Sequence, residues 1–521
     1  MISVRCICQP DGNCLLYERA SQGCALAERT VPVRMTNVGN TKYVQERLND
    51  FNFSPLARQI YQKIFDLRFT EARAGLEALK TQEPGNLIVL FLENYLDFLT
   101  VLSGDKRSDY NRLVKQMNPR LTKIARGNPR SPYFLYTQAE IRLQWALLRA
   151  RYGDYLSSLN EVKKAHDLLL ENQRRHPGFV ANWKSLGVLH ALVGNIPKEY
   201  RWGIKALSGM SGTVDQGMAE IESVIAYARQ HDFAFAEETL IAYSFMLLHL
   251  KNDKHKAWQS LNCGMLNPQS SPLAAFALAG MAMRTGRNDE AIRLLEQCPE
   301  GAAYHAFPYR YYQLGIAKLN RLDADAGRIL EKFVQVFEGE TGLKETYQKI
   351  AWSHLLRGDR GGYLNNMQLA KTRGNDRSEP DKAALREARS GEIPDVRLLK
   401  ARLLFDGGYY RRAFDILKNA GADFTGTGKT GLEYAYRMGR ITHELGDTPA
   451  AIRYYTQTIN AGAKQPWYFA CNAALQLGLL YEHNKDFAAA RIAFRRCLDI
   501  KPDEYAGSLH ARAKAGLARV R

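Results

Sequence analysis

Between Phe469 and Tyr505 the chain reads FACNAALQLGLLYEHNKDFAAARIAFRRCLDIKPDEY, and this stretch limits the possible folds more than any other. Apolar and small residues recur every three or four positions on both sides of a polar break at His483-Asn484-Lys485-Asp486, which is the period of helices and not of strands. On that spacing Ala474, Leu477, Gly478 and Tyr481 share one face, and Phe487, Ala490, Phe494 and Cys497 share the face that meets it. Small residues at Gly478 and Ala490 let two backbones approach while Tyr481, Phe487 and Phe494 fill the space around the contact. Pro502 closes the unit. This is the physical content of a helix-turn-helix repeat.

The same arrangement runs back along the chain. Trp183, Leu186, Gly187 and His190, with Gly194 at the turn, form a first helix whose partner is interrupted by Pro197 and by the glycines through Met210-Ser211-Gly212. Further hairpins join Phe245 and Leu248 to Ala257 and Leu261, Ala279 and Ala282 to Ala291 and Leu295, and Gly315 to Ala324 and Ile329. Others join Ala351 to Tyr363 and Met367, Ala401 and Leu404 to Tyr410, Ala413 and Leu417, and Gly439 to Ala451 and Tyr455. Apart from Phe245, the small positions fall about 34 to 39 residues apart, the spacing of a helical repeat. The step from Ala351 to Ala401 is longer. Its excess, Gly374 to Pro394, is a polar insertion with one short charged helix and reads as a lengthened inter-repeat loop.

Upstream, Ser54-Pro55 is a helix entry signal, after which Ile60, Ile64 and Phe65 face Phe69, Ala72, Leu76 and Leu79. The apolar run Leu87 to Leu102, a second entry at Ser131-Pro132 leading through Tyr136, Ile141, Trp145 and Leu148, and a mate from Tyr155 to Asn172 predict longer, irregular hairpins. The expected fold class is all-α, a right-handed α-solenoid of helical hairpins. Its expected parts are a poorly ordered leader at 1–48, irregular hairpins at 49–178, regular repeats at 179–373, the insertion at 374–394, and C-terminal repeats with a terminal basic helix at 395–521.

Lysine and arginine number 72 against 54 aspartates and glutamates, a net charge of +18 that attracts phosphate polymers, anionic membranes or acidic protein segments. The charge is dispersed along the chain. Its densest stretches, Lys106 to Arg130 and the tail with Arg512, Lys514, Arg519 and Arg521, read as solvated helix faces. Of the eight cysteines, Cys263, Cys298, Cys471 and Cys497 sit singly in helical contexts as small buried apolar residues. Cys6, Cys8, Cys14 and Cys24 crowd the N-terminus without the paired C-x-x-C spacing of a zinc site, so no metal is expected there.

Residues 1 to 34 hold no uninterrupted apolar segment, so no secretory signal is expected. That makes the cytoplasm the default compartment, or the periplasm if the true start differs, for instance at Met35. Leu87 to Leu102 carries Glu93, Asn94 and Asp97 and is too short to cross a bilayer, so no membrane span is expected either.

With these residues in view, the chain from Pro55 onward resembles the tetratricopeptide-repeat superfamily. More narrowly, LLKARLLFDGGYYRRA (398–413), YRMGRITHELGDTPAAIRYY (436–455) and YFACNAALQLGLLYE resemble a bacterial group of such proteins. The last hairpin and the helix after it are also similar to a set of outer-membrane-associated repeat proteins. The resemblance implies an α-solenoid that acts as a protein-binding scaffold, and it brings no catalytic residues. Proteins of the bacterial group often start with an export signal, from which this chain departs.

Two stretches imitate catalytic motifs. Gly426-Thr427-Gly428-Lys429-Thr430 resembles a phosphate loop, but Asp423 stands where its first glycine belongs, and an amphipathic helix precedes it in place of a strand. His443-Glu444 opens like a zinc-protease helix, but Asp447 occupies the place of the second histidine. No cofactor is expected.

A repeat array offers a groove lined by the first helix of each pair, at positions one and four residues from the small packing residue. These positions name Arg402 beside Ala401, Tyr436, Arg440 and His443 around Gly439, and Asn472, Leu475, Gln476 and Leu479 around Gly478, with Tyr309 and Tyr312 earlier in the array. Arg, Tyr, Asn and Gln hold an extended peptide by charge-assisted and amide hydrogen bonds and by flat contact area. The leading expectation is therefore a non-enzymatic scaffold whose partner is a protein or peptide with acidic character. The alternative is a nucleic-acid-binding helical repeat. It is disfavoured because the groove positions vary from Tyr to Leu to Arg rather than repeating a base-reading pair.

Overall fold

A computed structural model describes residues 49–196, 209–426 and 428–520. The leader with Cys6, Cys8, Cys14, Cys24 and Met35, together with Pro197, Thr427 and Arg521, lies outside the described residues. Among the described residues the chain is all-α, with consecutive helices packed in pairs as in a helical-repeat solenoid. The sole extended pairing there is one bridge between Asp50 and Asn86. No described helix is long and apolar enough to cross a membrane.

The chain divides into two compact units. The first, covering 49–277 and 298–307 of the described residues, holds α1 (Pro55–Phe65), α2 (Phe69–Gln82), α3 (Ile88–Gly104), α4 (Arg107–Leu113), α5 (Met117–Ile124), α6 (Pro132–Arg151), α7 (Tyr155–Arg175), α8 (Ala181–Asn195), α9 (Val214–Ala228), α10 (Ala236–Leu250) and α11 (Lys254–Leu261). The boundary at Ala277 falls within α12 (Pro272–Arg284). The second unit, 278–297 and 308–520, holds α13 (Asn288–Glu296), α14 (Tyr309–Arg321), α15 (Ala326–Val336), α16 (Leu343–Leu356), α17 (Arg360–Thr372), α18 (Glu379–Ser390), α19 (Val396–Asp406), α20 (Tyr410–Leu417), α21 (Lys429–Glu444), α22 (Thr448–Gly462), α23 (Phe469–His483), α24 (Phe487–Asp499) and α25 (Ala506–Arg519).

One turn chemistry recurs at hairpin after hairpin. A residue with left-handed backbone, at Gly153, Asn252, Gly358, Gly446 and Lys485, is followed by an aspartate at 154, 253, 359, 447 and 486. Each of these carboxylates accepts the backbone N–H three residues on, which caps the second helix of its pair. The positive φ favours glycine, because an L side chain there crowds the following carbonyl.

Small residues do set the close approaches. In the first unit, a Cβ on Gly217 of α9 would fall 2.2 Å from the Gly187 carbonyl oxygen of α8. In the second, a Cβ on Gly478 of α23 would meet the Phe494 ring at 2.5 Å, and so would one on Gly516 of α25. The Phe494 ring is therefore clamped between two glycines, and it is wholly buried.

Two sequence pairings are corrected. Phe487 is 46% exposed rather than packed on α23, because it opens α24 beyond the point where α23 ends. Gly315 meets Leu330, whose Cγ a Cβ there would approach to 2.6 Å, and α15 starts only at Ala326. Ala324 is thus left exposed in the turn and Ile329 rotated partly outward.

The stretch 374–394 contains α18, which docks on α16 and α17 through buried Ala384, Leu385 and Ala388. Asp381 is wholly buried. Its carboxylate accepts from Gly342 N (2.8 Å), Glu345 N (3.1 Å) and the Ser378 hydroxyl (2.6 Å), so it ties the inserted helix to the start of α16.

Candidate functional site

The groove residues named by the sequence all lie in the second unit. Gln476 Nε2 donates to Asn472 Oδ1 (3.2 Å), and Asn472 Nδ2 donates to the Tyr436 hydroxyl (2.7 Å), which also accepts from Arg440 Nη1 (3.0 Å). Four of the six candidates thus form one chain of hydrogen bonds across α21 and α23. Tyr436 and Gln476 are buried, so they support Arg440 and Asn472, which remain partly exposed.

His443 lies one turn on from Arg440, with Nδ1 3.1 Å from the Tyr455 hydroxyl of α22. Arg402 joins from α19 by another route, its guanidinium 4.7 Å from the centre of the Trp352 ring of α16. The remaining positions diverge. Leu475 is wholly buried in the core, and Tyr309 and Tyr312 are buried against Phe333 of α15. The Tyr312 hydroxyl donates to Glu345 of α16.

Trp352 is the centre of a second, connected group. Its Nε1 donates to Glu387 of α18 (2.7 Å), whose other oxygen accepts from Gln348 Nε2 (2.6 Å), and this fixes the indole plane. Lys349 Nζ lies 3.7 Å from the same ring's centre, so two cations share one indole. Burial is the main cause that brings Lys349 down to about 8; Arg402 pushes the same way, and Glu345, Glu387 and Asp406 oppose them only in part.

Further along, the Arg440 guanidinium lies 4.7 Å from the centre of Phe405. Tyr436 meets Tyr468 edge-on at 5.8 Å, Tyr468 meets Tyr505 at 5.3 Å, and Arg386 of α18 lies 5.4 Å from the Tyr505 ring. Rings from α16, α19 and α21 and from the turns before α23 and α25 thus form an aromatic band, in part ring on ring and in part joined through the cations laid on it.

The carboxylates near this band are engaged by their own neighbours. Glu387 holds Trp352 and Gln348, Glu345 takes Tyr312, and Glu433 takes Arg437. Among the described residues, Arg402 pairs with Asp406 at 4.0 Å, Lys349 and Arg440 contact amide or phenol oxygens and rings, and Glu444 adds its charge near Arg440. These three cations make fewer hydrogen bonds to the described residues than they have donors, in a partly shielded setting where a charge-assisted hydrogen bond is strong.

Sequence reasoning missed Trp352 and Phe405, although they stand one residue after Ala351 and four after Ala401, the two offsets that named the other groove positions. Glu387 and Arg386 were hidden because their stretch reads as a loop. Tyr468 and Tyr505 precede their helices, where no helical offset points to them.

The near-miss motifs are occupied otherwise. Lys429 pairs with Glu392 and Asp423 with Arg397, and the residues before Gly426 form a short 3-10 turn. The described residues contain no group of three or more His, Cys, Asp or Glu side chains placed to hold a metal ion. In the first unit's basic stretch, Arg120 is paired with Asp97 at 2.7 Å and with Glu93 at 3.6 Å, and Arg107 lies over Tyr152.

A family model described as tetratricopeptide repeat matches residues 472–504, the hairpin of α23 and α24. That match supports the tetratricopeptide-repeat superfamily, whose repeats suggest a scaffold for protein–protein interaction. No curated protein matches the chain.

Proposed function

We propose that this protein is a non-enzymatic scaffold that holds an extended, acidic protein segment in a groove along the aromatic band of the second unit. The observation that carries the reading is the set of three cations, Lys349, Arg402 and Arg440, laid on aromatic rings with donors left over while the neighbouring carboxylates are already engaged. A carboxylate side chain of the partner supplies the missing acceptor. Backbone amides of an extended segment pair with Asn472, which the chain through Gln476 orients. His443 extends the same wall by one turn.

The test is fluorescence anisotropy with a labelled peptide rich in Asp and Glu, beside a neutral peptide of equal length. Wild type binds the acidic peptide in preference, and Arg402→Glu with Arg440→Glu removes that preference by at least tenfold. Equal binding of both peptides, or binding that survives the double charge reversal, refutes the reading. A labelled RNA or DNA strand in the same titration examines the nucleic-acid alternative. A steep loss of affinity with salt and no acidic-peptide binding decides for it.

A further inference from the structure

Cys471 of α23 and Cys497 of α24 are wholly buried, and their sulfur atoms lie 3.6 Å apart. The Cys471 thiol is also within 3.4 Å of the Cys497 carbonyl oxygen, and Cys497 Sγ lies 3.9 Å from the Leu509 carbonyl of α25. The two thiols therefore face each other across the hairpin seam, under α25. The other described cysteines differ: Cys263 is exposed, and Cys298 is buried outside this hairpin. A disulfide needs the sulfurs at about 2.0 Å, so the pair has to close from van der Waals contact to form one.

We propose that Cys471 and Cys497 are a modification site, forming a reversible disulfide when the protein meets a peroxide. The Cys471 sulfur attacks one peroxide oxygen, the O–O bond breaks, and the second oxygen leaves with the thiol proton as water, giving a sulfenic acid. The Cys497 sulfur then attacks the Cys471 sulfur; the S–S bond forms, the S–O bond breaks, and the hydroxyl leaves with the Cys497 proton as a second water. Two thiols lose two electrons, hydrogen peroxide gains them, and a thiol reductant reverses the change.

The contact with Cys497 draws the Cys471 thiol below its ordinary range, while that contact together with burial raises Cys497, which accords with writing Cys471 as the attacking sulfur and Cys497 as the resolving one. Because α25 covers the pair, with Leu509 and Ala513 in the same core, the reaction waits on α25 lifting from the hairpin. The product joins α23 to α24 covalently and converts the last repeat from a packed hairpin into a stapled one.

The experiment treats the native full-length protein with hydrogen peroxide, blocks remaining thiols with iodoacetamide in denaturant, and maps the peptides by mass. The expected result is one linked pair, Cys471 to Cys497, two hydrogens lighter than the reduced peptides and lost on treatment with dithiothreitol. Cys497→Ser traps Cys471 as a sulfenic acid that dimedone labels, and Leu509→Ala, which loosens α25, speeds linkage severalfold. The inference is overturned if both cysteines stay alkylatable at a peroxide dose that oxidises Cys263. Linkage that appears only in denaturant overturns it too, as does linkage of either residue to other cysteines in comparable amount. The wild-type map decides the matter even if a cysteine variant fails to fold.

Discussion

Glu237, in the first turn of α10, is a built-in acid-side stabiliser of the first unit. Its Oε1 accepts from Gln62 Nε2 at 3.3 Å, the same amide group donates to Asp66 at 3.2 Å, and its Oε2 is buried without a hydrogen-bond partner. Burial and then the Asp66 charge push Glu237 from 4.5 up to about 7, against the Gln62 hydrogen bond. Asp66 is raised as well, chiefly by burial and against Ser271, Gln62, Lys63 and Arg68.

A carboxyl group raised in this way holds its proton in the folded state at pH values where the unfolded chain has released it. Its contribution is therefore full below pH 4.5 and is lost as pH rises to about 7. Glu237→Gln mimics the protonated form at every pH. The full difference corresponds to about 3.4 kcal/mol. Partial exposure of the carboxylate and its place at a helix N-terminus reduce this to about 1–2 kcal/mol. In urea titrations the variant matches wild type near pH 4.5 and exceeds it by that amount at pH 8, with a melting temperature raised by roughly 3–6 °C. The protein's overall positive charge affects both chains alike and cancels in the difference. A stability gap equal at pH 5 and pH 8, or one favouring wild type as pH rises, refutes the reasoning.

Gly478→Ala places a methyl group against a Phe494 ring that Gly516 prevents from retreating, so it costs about 2–3 kcal/mol in denaturant titration; a loss below about 0.5 kcal/mol contradicts the clamp. Lys485→Gly relieves a left-handed backbone (φ 62°) and gains about 0.5–1 kcal/mol, whereas Lys485→Ala gains nothing. An acidic partner restores the Lys349 charge, so binding takes up a proton and peptide affinity falls about tenfold from pH 7 to pH 9. Lys349→Met flattens that slope, and an unchanged slope in the variant shows that another group is responsible.

The helical hairpins were legible because their signals are local. The period of three to four residues, the polar breaks between helices and the glycine opposite an aromatic ring all act over a few positions, and Gly439 against Tyr455 and Gly478 against Phe494 pack as their spacing indicates. Arg440, Asn472, Tyr436 and Gln476 could likewise be named from offsets, since one helix face follows from one packing residue. The readings fail at ends and seams. Phe487 has the right spacing but no helix beside it, and α18 looks polar because it buries only a narrow stripe, Ala384, Leu385 and Ala388, against α16 and α17.

What the residues alone determined is the repeating backbone, because hydrogen bonding, capping and apolar period are settled within each hairpin. The tertiary structure decided which charges are already compensated. Arg120 finds Asp97 on another helix, while Glu387, brought in by the inserted helix, is taken by Trp352 and leaves Lys349 and Arg402 with donors to offer. Compensation is a matter of distance in space between groups tens of residues apart, and no local pattern records it.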